Sequence, residues 1–387
     1  MKNTIPALFC LVGALTVEPA TAQECVNADP ASVLASVHGD SEVIVDPQDA
    51  ERNLILTANV GDGMSKVAIA RIDGRTGQVT PGSLSIIANN FYGLTRINGP
   101  EFVQKPTGEL GVLYAGLGGV RAAFRSAIPE KWNEFSFDVT GKRIFGNPPL
   151  LPSTSNGAYP APPTPLRQNT YGQYRGDCTG ICFGALGQGV TTDVVAAVLA
   201  AKGLTTAAAT QSPDDGQIYL SACGASGSCG LYEAVLDGVG GFVAGSFQKL
   251  AEMGTTAPVS LAAARHPRTG STVLFSNKGS GAVDVWEHSS DGGALRLVRR
   301  VPASGSVHFR AEVDAREVVL HYLVKSGANA GSYTIPVVAA GRILQAGGAK
   351  KVNDNAAGAE IAWLPAAEKW AVFFRTANVL QRCWITP

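Results

Sequence analysis

The stretch Glu42-Val-Ile-Val-Asp-Pro47, with Leu54-Ile-Leu56 a short turn later, contains the pattern that decides the fold of this 387-residue chain. A short apolar strand reaches a proline, a few turn residues follow, and a second apolar strand begins. Two such runs joined by a turn predict an antiparallel hairpin. Further copies of the pattern, each counted from five residues before the proline or its equivalent, start at Glu101, Ala208, Ala262, His308 and Glu360. Six copies in one chain predict a repeat architecture.

A second hairpin follows each copy, as in residues 67–72 and 83–87. Two hairpins make four antiparallel strands, and such a unit recurring every ~40 to 50 residues is typical of a propeller blade. The gap of 107 residues between Glu101 and Ala208 is about twice the others, which predicts a degenerate seventh repeat near 153–206. We therefore predict an all-β fold, a β-propeller of seven blades. Six blades with a long insertion is the alternative.

The last repeat, residues 360–387, has room for only three strands. We predict that the N-terminal stretch 32–37 supplies the fourth strand and closes the ring. Closure of this kind prevents the array of sheets from opening at its seam. It also places Cys25 near Cys383.

The N-terminus has the features of an export signal. Lys2 precedes a mostly apolar stretch, 5–17, and Ala20-Thr21-Ala22 has the small-x-small form of a cleavage site. The sequence predicts a signal peptide over 1–22 and a single propeller domain over 23–387. The apolar run is shorter than the ~20 residues that span a membrane, so no span is expected after cleavage. The expected location is secreted or periplasmic, with an uncleaved anchor as the alternative.

Cleavage would remove Cys10 and leave an even number of cysteines, which indicates disulfides in an oxidising compartment. Local spacing suggests two pairs among the fifteen possible connectivities of six cysteines. The third pair would join the chain ends. The suggested pairs are Cys178 with Cys182, Cys223 with Cys229, and Cys25 with Cys383.

Charge and motifs exclude several functions. The chain has 31 basic and 31 acidic residues, so it lacks the basic surface that nucleic-acid binding requires, and no nucleic-acid partner is expected. Neither paired Cys-x-x-Cys nor Cys/His zinc spacing is present, and no phosphate loop is found. We therefore expect no metal and no cofactor.

The repeat alignment brings ionisable residues into one column. In a propeller the first strand of each blade lines the central channel, so residues at equivalent starting positions should meet around it. The column reads Glu42, Glu101, Ala208, Ala262, His308 and Glu360. Converging carboxyl groups with different pKa values serve as acid and base. Glycosidic cleavage needs such a pair, about 5 Å apart for retention or 6.5–9.5 Å for inversion. The structural interpretation is that these carboxylates are solvated or bond to nearby backbone amides.

Two local resemblances accompany the repeats. Gly99-Pro100-Glu101-Phe102, followed by a turn and Gly111-Val-Leu-Tyr114, resembles the acidic motif that starts blades in arabinanase- and xylosidase-type glycoside hydrolases. The resemblance implies an acidic functional residue at Glu101. Ser289-Ser-Asp291-Gly-Gly293 is similar to the Asp-box of sialidase-type propellers. That motif is structural in its families, so it implies a fold and no catalytic role.

The leading hypothesis is a glycoside hydrolase that acts on an extracellular carbohydrate. Glu42, Glu101 and Glu360 are the candidate acid, base or modulator, and His308 with Arg310 would position the substrate. Arg310 follows His308 by two residues, so both should lie on one strand face. A guanidinium there could bind a substrate carboxylate through two hydrogen bonds. The protein is expected to be a monomer.

Two alternatives remain open at this point. A non-catalytic propeller would bind an extracellular ligand as a lectin or a protein-interaction platform. A polysaccharide lyase would abstract a proton beside a uronate carboxylate, with His308 or a tyrosine such as Tyr171 or Tyr174 as base and Arg310 neutralising the charge. Closely spaced carboxylates in a cleft favour the hydrolase, and shallow aromatic pockets between blades favour the lectin.

Overall fold

The computed structural model of this chain describes most of its C-terminal half and shorter parts of its N-terminal half. The described residues are 25–35, 37, 41–59, 65–90, 98–104, 110–116, 119–125, 132–136, 164–166, 170–175, 180–185, 199, 201–211, 217–235, 243–279, 281–289, 293–303, 305–355 and 359–387. The predicted signal peptide over 1–22, Cys178 and most of the Asp-box-like segment, 290–292, lie outside these ranges.

The described strands form seven antiparallel sheets, and helix is nearly absent from the described residues. The short edge strand β1 (Cys25–Asn27) belongs to the last sheet. The first sheet contains β2 (Ser41–Asp46), β3 (Asp49–Asn59), β4 (Ser65–Asp73) and β5 (Ser85–Asn90). The second contains β6 (Asn98–Gln104), β7 (Leu110–Gly116), β8 (Gly119–Arg125) and β9 (Trp132–Ser136). The third contains β10 (Thr164–Leu166), β11 (Thr170–Arg175) and β12 (Gly180–Ala185).

The fourth sheet contains β13 (Leu204–Gln211), β14 (Gln217–Gly224), β15 (Cys229–Val235) and β16 (Gln248–Gly254). The fifth contains β17 (Ser260–Arg265), β18 (Thr272–Asn277), β19 (Ala282–His288) and β20 (Arg296–Pro302). The sixth contains β21 (Ser306–Val313), β22 (Glu317–Val324), β23 (Gly331–Ala340), β24 (Ile343–Ala346) and β25 (Lys350–Asn353). The seventh contains β26 (Glu360–Leu364), β27 (Lys369–Thr376), β28 (Val379–Ile385) and β1, with a 3₁₀ turn (Pro365–Ala367) after β26.

Strands that follow one another in sequence pair within each sheet. The first strands of consecutive sheets contact one another in the order β2, β6, β10, β13, β17, β21, β26, and β26 also contacts β2. The prediction of an all-β fold built from antiparallel sheets, most of them four-stranded, is confirmed.

The core lies between neighbouring sheets. One apolar cluster joins Val273 and Phe275 of β18 to Val318 and Leu320 of β22, all buried. Seven consecutive residues of β22, from Val318 to Val324, are buried because sheets cover both of its faces. A central strand that is covered on both faces has a continuous apolar sequence, and for this reason the second strand of each repeat could be predicted from the sequence. Burying each such side chain contributes about 1.5–3 kcal/mol.

The N-terminal edge strand differs from the prediction. β1 pairs with β28 in a register that places Cys25 opposite Cys383, and a disulfide joins the two. The strand was predicted at residues 32–37, but Val33, Leu34 and Ala35 form a turn instead. That prediction was wrong because Asp29 accepts hydrogen bonds from the backbone N–H groups of Val33 (2.8 Å) and Leu34 (2.7 Å), and these bonds fold the stretch over.

A second disulfide joins Cys223 to Cys229, directly opposite each other on β14 and β15. The suggested partner pair Cys178 and Cys182 cannot be placed, because Cys178 lies outside the described residues. Within the described parts of the chain, no helix has the length and apolar character needed to cross a membrane.

Candidate functional site

Three first strands bring charged side chains together. Arg310 of β21 binds Glu42 of β2 through Nη1 and Oε1 at 2.6 Å, and Glu360 of β26 through Nε and Oε2 at 3.1 Å. Both carboxyl groups bind one guanidinium, so only this planar group separates them. We call Glu42, Arg310, Glu312 and Glu360 the Arg310 cluster.

Glu42 is held from two sides. Besides its ion pair with Arg310, its Oε2 accepts a hydrogen bond from the backbone N–H of Phe102 in β6 at 2.5 Å. The residue is 7% exposed, so a carboxylate there would be costly without such partners. Glu42 thereby connects β2 to the first strands of two other sheets.

Glu312 completes the cluster from the same strand as Arg310. The register of β21 is regular from Arg310 to Val313, so Arg310 and Glu312 share one face, while Phe309 and Ala311 pack on the apolar core. Water reaches part of Glu312, but the surrounding protein removes most of its hydration. This burial raises the pKa of Glu312 to about 8, and the negative charges of Glu42 and Glu360 act in the same direction against Arg310.

The raised pKa determines the protonation of Glu312. Glu312 is mainly protonated at neutral pH, whereas Glu42 and Glu360 are paired with a cation. A protonated carboxyl beside carboxyl groups paired with a cation is a combination that acid–base chemistry uses.

The predicted site residues fall into two groups. Glu42, Arg310 and Glu360, which are far apart in sequence, lie together. The backbones of Glu101 and His308 lie on β6 and β21, but their side chains are outside the described part of the structure, as are those of Tyr171 and Tyr174 on β11.

A register shift in β21 between Val307 and Arg310 affects the prediction for His308. Simple alternation no longer places His308 and Arg310 on one face, because an irregularity of this kind re-aims the side chains of a strand. β6 has a similar shift between Asn98 and Glu101. The sequence offered no clear signal for either shift.

The structure shows which charged groups Arg310 contacts. The sequence argument assigned Arg310 to a substrate carboxylate, and that role stays a prediction. In the structure its guanidinium binds two carboxylates of its own chain. Glu312 was missed because the repeat alignment selected one residue per strand. Its position two residues after Arg310, on a regular stretch of strand, is the signal that could have found it.

The remaining described histidines lie in the interior. His288 Nδ1 is 2.8 Å from the Tyr219 hydroxyl and 3.7 Å from Glu233 Oε2, within a buried polar group between two sheets. His321 is 1% exposed on β22. These positions fit a packing role. Among the described residues, no group of three His, Cys, Asp or Glu side chains is arranged to hold a metal ion.

His266 begins a hairpin turn of the same form as the turn that Asp73 begins. The Nδ1 of His266 accepts a hydrogen bond from the backbone N–H of Arg268 at 3.2 Å, as Asp73 Oδ1 does from Arg75 at 3.1 Å. Arg-Thr-Gly completes both turns. His266 is fully buried, and this burial lowers its pKa. The acceptor role of Nδ1 requires the neutral ring.

Comparisons with known proteins yield similar shapes at low identity. A chain in the crystal structure of the mitotic checkpoint complex has a TM-score of 0.49 and 11% identity, with 99% of each chain covered. A Hadza microbial sialidase has a TM-score of 0.41 and 8% identity over 90% of this chain and 66% of that one. The fungal lectin from Aleuria aurantia, described as a six-bladed β-propeller, has a TM-score of 0.40 and 14% identity over 76% and 94%. No family model and no curated protein matches this chain. We draw no functional conclusion from likenesses of this extent.

Proposed function

We propose that this chain is a secreted or periplasmic β-propeller of seven blades, with the ring closed by its N-terminal strand. The order of contacts among the first strands, from β2 round to β26 and back to β2, supports this arrangement. The pairing of β1 with β28 and the disulfide between Cys25 and Cys383 support closure at the seam. Disulfides are typical of proteins from oxidising compartments.

We infer that the Arg310 cluster hydrolyses a glycosidic bond of an extracellular carbohydrate. The observation that carries this proposal is the binding of Glu42 and Glu360 to one guanidinium, with Glu312 on the same strand face as that arginine and its pKa raised by burial to about 8. Glycoside hydrolysis requires one carboxylic acid and one carboxylate on either side of the scissile bond.

The residues have different parts in this proposal. Arg310 orients Glu42 and Glu360 and sets their spacing. Glu101 directly precedes Phe102, whose N–H binds Glu42, so its backbone adjoins the cluster and it stays a candidate modulator. His308, on β21, stays a candidate for substrate binding.

The test is turnover of a panel of plant, algal and bacterial polysaccharides, measured as new reducing ends. Glu360→Gln should abolish turnover, and Glu252→Gln, a change at an exposed carboxylate paired with Lys249, should not. Far-UV circular dichroism checks that each variant is folded. A fully active Glu360→Gln variant would remove this carboxyl from the proposed mechanism. Reducing ends together with unsaturated uronates would indicate a lyase.

A second candidate is a non-catalytic propeller that binds a carbohydrate or a protein partner. The specific observation in its favour is that Arg310 ties β2, β21 and β26 together, which is also what a purely structural ion-pair cluster would do. Binding of a panel polysaccharide without any product, in both the wild type and Glu360→Gln, would favour this candidate.

A further inference from the structure

The Arg310 cluster contains one carboxyl group that differs from the others. Arg310 contacts Glu42 and Glu360, but the residue next along its own strand face is Glu312. Glu312 is partly exposed, but the surrounding protein removes most of its hydration, and the charges of all three other members act on it. A carboxyl group that loses its hydration and faces two anions keeps its proton more tightly than an exposed one.

Both oxygens of Glu42 are engaged, one by Arg310 and the other by the N–H of Phe102. A carboxylate held in this way is poorly suited to gaining a proton during a reaction, because protonation would disrupt both contacts. Glu42 therefore acts as a positioning residue for Arg310. Glu360, whose Oε2 binds Arg310 at 3.1 Å, is the base in this scheme, and Glu312 is the acid.

We propose that Glu312 is the proton donor to the leaving group in the hydrolysis proposed above. This inference rests on the proposed function of the cluster. Glu312 transfers its carboxyl proton to the glycosidic oxygen as the bond from that oxygen to the anomeric carbon breaks. The electron pair of the bond goes to the oxygen, which departs as an alcohol.

The second half of the step consumes water. Glu360 takes a proton from a water molecule whose oxygen forms the new bond to the anomeric carbon. The products are the hydrolysed sugar and the alcohol, with Glu312 as a carboxylate and Glu360 as a carboxylic acid. Exchange with solvent returns one proton to Glu312 and removes one from Glu360, so no other reactant is needed.

The first test compares two leaving groups in two variants. On polysaccharide, Glu312→Gln should lower kcat/KM by about 10²- to 10⁴-fold, the usual contribution of a general acid. On an aryl glycoside with a strongly acidic phenol as leaving group, the same variant should lose less than about tenfold, because that phenolate departs without a proton. A merely structural role would lower both rates equally.

Glu317→Gln is the matched control. Glu317 belongs to the same hairpin, and burial raises its pKa as well, but its electrostatic neighbours are Asp314 and Arg316 instead of the cluster. This variant should keep wild-type rates on both substrates. Glu312→Asp, which keeps the acid on a shorter side chain, should recover part of the polysaccharide rate.

A direct titration provides a readout that does not depend on turnover. Carboxyl-carbon NMR of the glutamate-labelled wild type should contain one signal that titrates near pH 8, and this signal should be missing from Glu312→Gln. The wild-type rate on polysaccharide should fall as the pH rises through the same value. Glu312→Gln should lack this alkaline decline on the aryl glycoside.

The outcomes separate the two proposals. If the wild type degrades polysaccharide and Glu312→Gln does so equally well, Glu312 is not the donor and the proposed function stands. If NMR shows every glutamate ionised at neutral pH, the assignment of Glu312 is overturned as well. A wild type that cleaves nothing in the panel refutes the proposed function and this inference with it.

Discussion

The two disulfides occupy similar positions but close very different lengths of chain. In both, the cysteines lie directly opposite each other on antiparallel strands, and one partner, Cys383 or Cys229, is fully buried. The disulfide at the seam, however, joins residues 358 apart, whereas Cys223 and Cys229 are six apart. Replacing each pair by alanines should therefore have similar local effects and different effects on the unfolded chain.

The expected magnitudes follow from the entropy of loop closure. Removing Cys25–Cys383 should lower the free energy of unfolding by about 6 kcal/mol, and removing Cys223–Cys229 by about 2 kcal/mol. The difference, (3/2)RT times the logarithm of the ratio of loop lengths, is about 3.6 kcal/mol. It is less sensitive to native-state packing than either value alone, because the same atoms are deleted in both variants.

Urea unfolding at equilibrium, followed by tryptophan fluorescence and by far-UV circular dichroism, measures the difference. Coinciding curves from the two probes are needed before a single free energy is assigned. Equal losses in the two variants, within about 1 kcal/mol, would refute the argument that the seam disulfide acts by constraining the two ends of the chain.

Three further predictions concern stability. As the pH falls below ~6.5, His266 binds a proton in the unfolded chain but resists protonation in the native state. The free energy of unfolding should therefore drop by up to about 1.4 kcal/mol per pH unit. Urea titrations at several pH values should show a smaller slope for His266→Asn. Gly331→Ala should destabilise the protein by more than about 2 kcal/mol in the same assay, because φ at Gly331 is +146° and a Cβ would lie 2.4 Å from a backbone oxygen. The control Gly348→Ala, which has open space around it, should change the free energy of unfolding by less than about 0.5 kcal/mol. Asp46→Ala should cost about 3–5 kcal/mol, because it leaves Arg125, bound at 2.9 Å, as an unpaired and largely buried cation.

Much of the fold could be predicted because the sequence features that determine it lie within short stretches of the chain. The hairpins repeat, and central strands such as β22 are apolar on both faces. Breaks within strands were harder to predict. Pro336 in β23 has no N–H to offer the outer strand, and the pairing on that edge is divided between β24 and β25, with Gly347 packed against the proline ring. A proline within a strand is visible in the sequence, but the division of the outer strand is not.

The N-terminal segment shows how one side chain can override an apolar pattern. Residues 32–37 are largely apolar and were predicted as an edge strand, yet Asp29 binds the N–H groups of Val33 and Leu34, which a strand would use for pairing. Leu34 is fully buried all the same, so the apolar residues do reach the core, but from a turn. The apolar stretch therefore contributes a buried side chain, but it does not form the predicted strand.

The candidate site could be predicted only in part, because its members come from both ends of the chain. Glu42 lies on the first sheet, whereas Arg310 and Glu360 lie on the last two, so these residues meet only when the first and last sheets come together. The sheet that carries Glu360 is also the one that β1 and the Cys25–Cys383 disulfide complete. Repeat spacing indicated which strands would be neighbours, but it contained no information on how far packing removes water from their side chains. Desolvation raises the pKa of Glu312 to about 8, and the charged groups that act on it belong to β2, β21 and β26, which meet only in the packed fold.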